Sequence, residues 1–420
     1  MKEQKYFPAL KDIIEARQRL RGCVKHTALM HSDFLSGSYD ADVLLKREDL
    51  QVVRSYKLRG AYNKIMTLSD EQRAKGVVCA SAGNHAQGVA FSCNNLGIKG
   101  AIFMPVTTPK QKVRQVESFG NGYVDIILTG DTYDASAAEA KLYCEEHGMS
   151  FVHPFDDERI IEGQATVGVE IIEDCEGAID YLFVPIGGGG LLSGTGSYFR
   201  QVSPNTKIIG VEPEGASSMR AAMDAGEVVT LDQVDKFVDG ASVKRVGDVT
   251  FSVAQQIGLD DIIAVPEGMI CTTILEMYNR EAIVVEPAGA LSIAALRLYS
   301  EQIKGRRVVS IISGGNNDIT RNEEIKERSL LFEGLKHYFI IRFPQRAGAL
   351  MDFLTKVLGE RDDITFFEYK KKTARENGPA VVGIELRSKD DFEPLIERMN
   401  ANGIKHEYLN DQPELFELLV

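Results

Sequence analysis

Short apolar runs separated by longer amphipathic stretches set the rhythm of the chain. Lys11 to Leu20 carries Ile13, Ile14 and Leu20 among charges at helical spacing, which predicts a packing helix running into a loop at His26-Thr27. Val43 to Leu45, Gly76 to Ala80, Ala101 to Met104 and Val124 to Leu128 are compact apolar runs, each followed by a helix-like stretch. Such alternation predicts strands and helices of an α/β unit with a mainly parallel sheet. Tyr181 to Ile186, Ile208 to Val211, Ile262 to Val265 and Val308 to Ile312 repeat the pattern and predict a second α/β layer system. The fold class expected for this body is two open α/β subdomains.

The pattern changes at Arg321 to Lys336, a charged, helix-prone stretch without a glycine-rich site, which reads as a connector. Beyond it, Tyr338 to Phe343 predicts a strand, Ala349 to Leu358 a helix, Ile364 to Lys372 and Ala380 to Arg387 strands, and Asp390 to Asn400 a helix. With a short last strand near Tyr408 the order is βαββαβ, a ferredoxin-like α+β unit. The expected boundaries are 1–320 for the body, with a smaller subdomain at roughly 45–150, then 321–336 for the connector and 337–420 for the tail. No internal repeat is evident.

A chain of 420 residues can bury the cores of two or three domains. Its formal charge of −13 argues against nucleic acid and anionic membranes as partners and leaves small molecules. No leader opens the chain and no apolar run approaches the ~18 residues of a membrane span. A cytoplasmic protein is expected. Six cysteines, Cys23, Cys79, Cys93, Cys144, Cys175 and Cys271, show no zinc or redox spacing and are expected as buried, reduced thiols. Seven dispersed histidines offer no obvious base for a hydrolase triad.

Candidate chemistry lies where strands meet glycine-rich turns. Gly187-Gly188-Gly189-Gly190-Leu191 follows the run ending at Ile186 and precedes the helix-like Leu192 to Arg200. Without side chains, these N–H groups can wrap an anion at a helix N-terminus, which suggests a phosphate cup rather than a flexible loop. Ser81-Ala82-Gly83-Asn84-His85-Ala86-Gln87-Gly88 follows another strand. It suits a substrate carboxylate, with an ordinary Asn84 helix cap as the alternative and His85 as a structural side chain. Ser313-Gly314-Gly315-Asn316-Asn317 ends the Val308 to Ile312 run, where Ser313 can face the crevice at the strand ends. Lys57 stands in Ser55-Tyr56-Lys57-Leu58-Arg59-Gly60, where the charged, strand-like Leu44 to Leu50 gives way to a helix. A phosphate cup, a lysine and a hydroxyl are the parts of a pyridoxal 5'-phosphate site.

Together with Glu286-Pro287-Ala288-Gly289-Ala290, these motifs in this order resemble the biosynthetic threonine dehydratases (threonine ammonia-lyases) of the tryptophan-synthase-β-like class of pyridoxal phosphate enzymes. The likeness runs from about Lys11 to Asn317. It implies that Lys57 is the catalytic lysine that carries the cofactor, that Asn84 bonds the cofactor's phenolic oxygen, that Gly187, Gly188, Gly189, Gly190 and Leu191 bind its phosphate, and that Ser313 faces its pyridine nitrogen. Ser81, Gly83 and Asn84 would surround the substrate carboxylate, and Glu286 is either near the site or a structural acid. The reaction implied converts L-threonine to 2-oxobutanoate and ammonia, the first step of isoleucine biosynthesis.

Two departures narrow the choice. Ala82 stands where serine racemases carry a second serine, so racemisation is expected to be poor. Glu212 and Ala216 match a cation site of some relatives while Ser218 replaces its acid, so no tightly bound metal is expected. Phe343 to Leu350 resembles the strand-to-helix turn of an ACT-like regulatory domain, which implies isoleucine as effector, and the family suggests a homotetramer. The rivals are a serine or diaminopropionate ammonia-lyase on the same scaffold and a non-catalytic amino-acid sensor.

Overall fold

The computed structural model describes residues 5–369 and 377–419, and the chain divides into two compact units, Met1–Asp318 and Ile319–Val420. The first unit contains β1 (Leu29–His31), β2 (Asp42–Arg47), β3 (Val77–Ala80), β4 (Gly100–Met104), β5 (Val124–Leu128), β6 (Ser150–Phe151), β7 (Tyr181–Pro185), β8 (Lys207–Pro213), β9 (Asp261–Val265) and β10 (Arg307–Ile312). They form a six-stranded sheet in the order β1-β2-β10-β7-β8-β9 and a four-stranded sheet in the order β5-β4-β3-β6. All pairings are parallel except β1 with β2. Parallel strands need helices on both faces, and this is why β7 and β10 read as continuous apolar runs and are buried almost throughout.

The predicted strands are present, with one reassignment. Val43 to Leu45 groups by sequence with the runs up to Leu128, yet β2 belongs to the larger sheet. Its parallel register sets Val43 beside Val308 and Leu45 beside Ser310, and both apolar residues are fully buried there. The strand-like stretch also ends early: β2 stops at Arg47 and Glu48–Leu50 forms a 3-10 turn. The turn carries the Glu48 carboxylate inward, to a buried partner described below.

The core of the larger layer joins Leu182, Val184, Val309 and Ile311 to Ala165, Val169 and Ile171 of the Glu158–Asp174 helix. The smaller layer is filled on one face by Ile65, Val89, Ile102 and Met104 and on the other by Val78, Phe103 and Ala140. Each buried Val, Leu, Ile, Met or Phe side chain among them contributes roughly 1.5–3 kcal/mol. Cys79, Cys93, Cys144 and Cys271 are buried free thiols, whereas Cys23 and Cys175 keep partial exposure because they lie just beyond helix C-termini. Among the described residues no helix is long and apolar enough to cross a membrane.

In the second unit, β11 (Lys336–Pro344), β12 (Asp363–Tyr369), β13 (Asn377–Glu385) and β14 (His406–Tyr408) form an antiparallel sheet in the order β12-β13-β11-β14. Helices Ala349–Lys356 and Phe392–Ala401 pack Phe353, Leu395 and Met399 onto Phe339, Ile341, Val382 and Ile384. The order βαββαβ is as expected, and a last helix, Pro413–Leu419, follows it. The predicted end of the strand begun at Ile364, Lys370 to Lys372, lies outside the described residues. The charged stretch from Arg321 forms a helix, Asn322–Phe332, with Ile325 fully buried and Glu327 accepting from Tyr338 Oη at 2.7 Å.

Candidate active site

Three neighbouring parallel strands of the larger sheet, β2, β10 and β7, bring their carboxyl ends to one edge, the usual ligand side of such sheets. Beyond β10 comes Ser313, beyond β7 the glycines, and beyond β2 and its turn the Lys57 segment. That segment is laced to the Ser313 loop. Tyr56 N donates to Ser313 O at 3.1 Å, Gly315 N to Arg54 O at 2.9 Å, and Ser55 and Gly314 form an antiparallel bridge. Arg54 adopts φ 57°, a left-handed backbone uncommon for a residue other than glycine, held by this lacing. Lys57 then opens the Lys57–Met66 helix.

Lys57 Nζ donates to Pro154 O at 2.8 Å and lies 5.4 Å from the Tyr56 ring centre and 6.0 Å from that of Phe155. Its side chain keeps some accessible surface, but protein closes around the amine. Burial lowers its pKa from 10.5 to about 8, against the upward pull of the Glu286 carboxylate. An amine so placed is a free base at mildly alkaline pH, as a nucleophile and proton acceptor requires. His85 and His153 are pushed down to about 3 and 4 by burial with Lys57 nearby, so both rings are neutral. His85 Nε2 pairs with Val152 O at 2.9 Å, the structural role expected of it.

The glycine loop fits an anion. Gly189 has φ 91°, and the Gly190–Val202 helix starts directly after it. A Cβ on Gly188 would run into the Phe155 ring, and one on Gly187 would sit 3.0 Å from Ala241 Cα. Among the described residues, no loop or cap hydrogen bond uses the N–H groups of Gly187 to Leu191, and those of a helix's first turn have no partner within the helix. The Leu191 side chain itself is core, so only its backbone is available. The loop is braced from outside. Asp156 accepts from the backbone N–H groups of Asp248, Val249 and Thr250 at 3.0, 2.9 and 3.2 Å, and Thr250 Oγ1 donates to Gly188 O at 2.7 Å.

Ser81, Gly83 and Asn84 come from the carboxyl end of β3 in the smaller sheet. Ser81 Oγ accepts from Gly83 N at 3.2 Å, Gly83 faces open space, and the Asn84–Leu96 helix passes so close that a Cβ on Gly88 would sit 3.2 Å from Lys57 C. Asn84 Nδ2 donates to Glu286 Oε1 at 2.6 Å. Burial and the Asp239 charge push Glu286 up to about 7, despite the Asn84 and Asn316 hydrogen bonds that favour its charged form. Ser313 Oγ is buried and donates to Ala288 O at 3.1 Å. The residues present therefore suit pyridoxal phosphate: an anion cradle, an amine of lowered pKa, an amide donor and a neutral hydroxyl.

Arg59, a charge in the Lys57 segment, is a buried structural cation. It is 1 % exposed and grips Glu48 through Nε and Nη2 at 2.8 and 2.7 Å and Glu170 through Nη1 and Nη2 at 2.7 and 2.8 Å. Lys46 Nζ, also fully buried, donates to Glu170 Oε2 at 2.6 Å. Glu212, the residue matching the relatives' cation site, accepts from Met219 N and Arg220 N at 2.7 and 2.9 Å and caps a helix. Among the described residues no group of three or more His, Cys, Asp or Glu could hold a metal ion. Sequence reasoning passed over Pro154, Phe155 and Asp156, whose segment contains no glycine, and used Asn316 only as part of a turn.

A model of the pyridoxal-phosphate-dependent enzymes matches residues 20–314, and one of the C-terminal regulatory domain of threonine dehydratase matches residues 327–419. The chain is 59 % identical over 411 residues to L-threonine dehydratase biosynthetic IlvA of Bacillus subtilis, covering 98 % of this chain and 97 % of that one. The corresponding protein of Halalkalibacterium halodurans is 56 % identical, with 98 % and 99 % covered. The solved structure of the processed form of threonine deaminase isoform 2 from Solanum lycopersicum superposes with a TM-score of 0.72 at 37 % identity, covering 78 % of this chain and 96 % of that one. Both the strand-end site and these likenesses have one outcome: the chain belongs to the pyridoxal-phosphate-dependent enzymes and, among them, to the biosynthetic L-threonine dehydratases with a C-terminal regulatory domain.

Proposed function

We propose that the protein dehydrates and deaminates L-threonine to 2-oxobutanoate and ammonia. The observation that carries this reading is the Lys57 amine, its pKa lowered to about 8, among three strand ends of which one is an anion-fitting glycine loop. When bound, pyridoxal phosphate supplies an electron-withdrawing ring that drains charge from the substrate Cα. The chain's own residues do the rest. Lys57 is the covalent anchor and, once released, the base that takes the Cα proton on Nζ. Gly187 to Leu191 hold the phosphate through backbone N–H groups, and Asn84 offers an amide to the phenolic oxygen. Ser313, a neutral hydroxyl, does not enforce a charge on the ring nitrogen, which suits elimination over transamination. Ser81, Gly83 and Asn84 receive the substrate carboxylate, and Ala82 has no hydroxyl to return a proton from the opposite face.

Residues 1–320 are proposed as the catalytic part and 337–420 as the regulatory part, with 321–336 between them and the smaller catalytic subdomain at roughly 45–150. The tail is proposed to bind isoleucine, the cytoplasm to be the compartment, and a homotetramer to be the working form. The direct test follows ketoacid release by the full-length protein with L-threonine, L-serine and 2,3-diaminopropionate. Threonine is expected to be preferred, and Lys57→Ala to lower turnover more than about 10³-fold. A serine preference would overturn the substrate, and undiminished turnover by Lys57→Ala would overturn the mechanism. Removing all residues after Arg328 is expected to abolish isoleucine inhibition, and persistent inhibition would refute the role of the tail.

A further inference from the structure

Asn316 lies three residues beyond Ser313, and its Nδ2 sits 2.8 Å from Val53 O, 2.8 Å from Asn84 Oδ1 and 3.1 Å from Gln87 Oε1. A peptide carbonyl can only accept, so the Asn316 atom facing Val53 has to be its nitrogen. That same nitrogen faces Asn84, so the Asn84 atom facing it has to be the oxygen. The other end of Asn84, its Nδ2, is thereby turned towards Glu286 Oε1 at 2.6 Å. Glu286 cannot impose this orientation alone. Its pKa, raised by burial to about 7, leaves much of it protonated near neutral pH, and a protonated carboxyl could equally donate to a flipped Asn84. The Val53 carbonyl, by contrast, does not titrate. Val53 is fully buried, and the lacing of Arg54 to Tyr56 onto Ser313 and Gly315 fixes it relative to Asn316.

We propose that Asn316 is a positioning residue that sets the amide of Asn84, so that its N–H end and not its carbonyl oxygen is offered to the phenolic oxygen of the cofactor. The inference rests on the assignment of Asn84 to that oxygen. An anionic phenolic oxygen is stabilised by an N–H donor and repelled by a carbonyl. The pH dependence of the bound cofactor's visible absorption band therefore reports which end of Asn84 it meets.

The test uses the full-length protein reconstituted with pyridoxal phosphate, in three forms: unaltered, Asn84→Ala and Asn316→Leu. Leucine approximates the shape of asparagine and removes the donor without adding charge. Both variants are expected to move the pH midpoint of the band upward by about one unit, the size of one lost hydrogen bond to a charged group. They are also expected to weaken cofactor binding about tenfold in equilibrium dialysis. A merely structural Asn316 would weaken binding and leave the midpoint in place, which would overturn the proposal. If Asn84→Ala moves the midpoint and Asn316→Leu does not, the orienting role falls while the assignment of Asn84 stands. If neither moves it, that assignment falls as well. Should the leucine variant fail to fold, Asn316→Ala gives the same readout with the same two overturning results.

Discussion

The Arg59 cluster makes the sharpest energetic prediction. Replacing Arg59 with Met keeps most of the packing of its stem and removes the guanidinium that faces both Glu48 and Glu170. In the unaltered protein two cations, Lys46 and Arg59, balance two carboxylates in a site where none is more than 6 % exposed. The variant leaves one cation for two acids. Glu170 retains Lys46 at 2.6 Å, while among the described residues Glu48 retains only the Thr27 hydroxyl at 2.5 Å and the Gln51 amide at 3.4 Å. Breaking a buried pair in this one-sided way costs roughly 3–5 kcal/mol. For a unit of this size that lowers its melting transition by about 4–8 °C in calorimetry. The sign with pH follows from Glu170. Burial pushes its pKa up, but Arg59 and Lys46 together hold it below the ordinary value. In the unaltered protein, therefore, its contribution to stability is present above the unfolded pKa and is lost as pH falls through the folded one. Arg59→Met weakens that pull, so its deficit should be largest near neutrality and shrink towards pH 4. Adding Glu48→Gln should recover at least half of the loss, because the uncompensated charge is then gone. A cost below about 1 kcal/mol, or no recovery in the double variant, would refute the account.

Three further predictions bear on the site. In the cofactor-free protein, labelling of Lys57 by a water-soluble acylating reagent, followed by peptide mapping, should rise with a midpoint near pH 8, and a midpoint at 10 would refute the environment described. Because the folded pKa lies below the unfolded 10.5, this lysine is a full cost to stability at pH below 8, relieved as pH rises from about 8 to 10.5. Gly188→Ala drives a methyl group into the Phe155 ring and should cost about 1–3 kcal/mol and weaken phosphate retention, measured by unfolding and by dialysis of cofactor. Asp156→Ala removes the cap of the Asp248–Ile257 helix and should cost about 1–2 kcal/mol in thermal unfolding, with cofactor affinity falling in parallel because Thr250 is what grips the Gly188 carbonyl.

The strands and the glycine turns were legible because both signals are local. A run such as Tyr181 to Ile186 followed by four glycines states its element and its break within a dozen residues. Membership of a sheet is not local, and nothing in Val43 to Leu45 says that its neighbour is Val308 rather than Val77. Arg59 was half legible. Its charge reads as a structural one, whereas its partners Glu48 and Glu170 stand 11 and 111 positions away and only the fold reveals that they are buried. Pro154 to Asp156 left no signature at all, since a carbonyl that receives a lysine amine and a ring that seals a loop depend on backbone placement and not on residue type. Asn316 was in view, but its value lies in the direction of an amide, which no spacing encodes.

The glycine loop also bears on how such a site could be moved between proteins. Its tetraglycine looks like a portable cassette, yet every member is fitted to a distant segment: Gly187 to Ala241, Gly188 and Gly190 to Phe155, Gly189 to Met219 and Thr250. A graft of Gly187 to Leu191 alone would bring the missing side chains without the walls that make their absence useful, and the host would receive a floppy linker. The smallest transferable part is the loop together with segments around residues 155, 219, 241 and 250, an assembly that inheritance can keep but that piecemeal recombination would rarely rebuild.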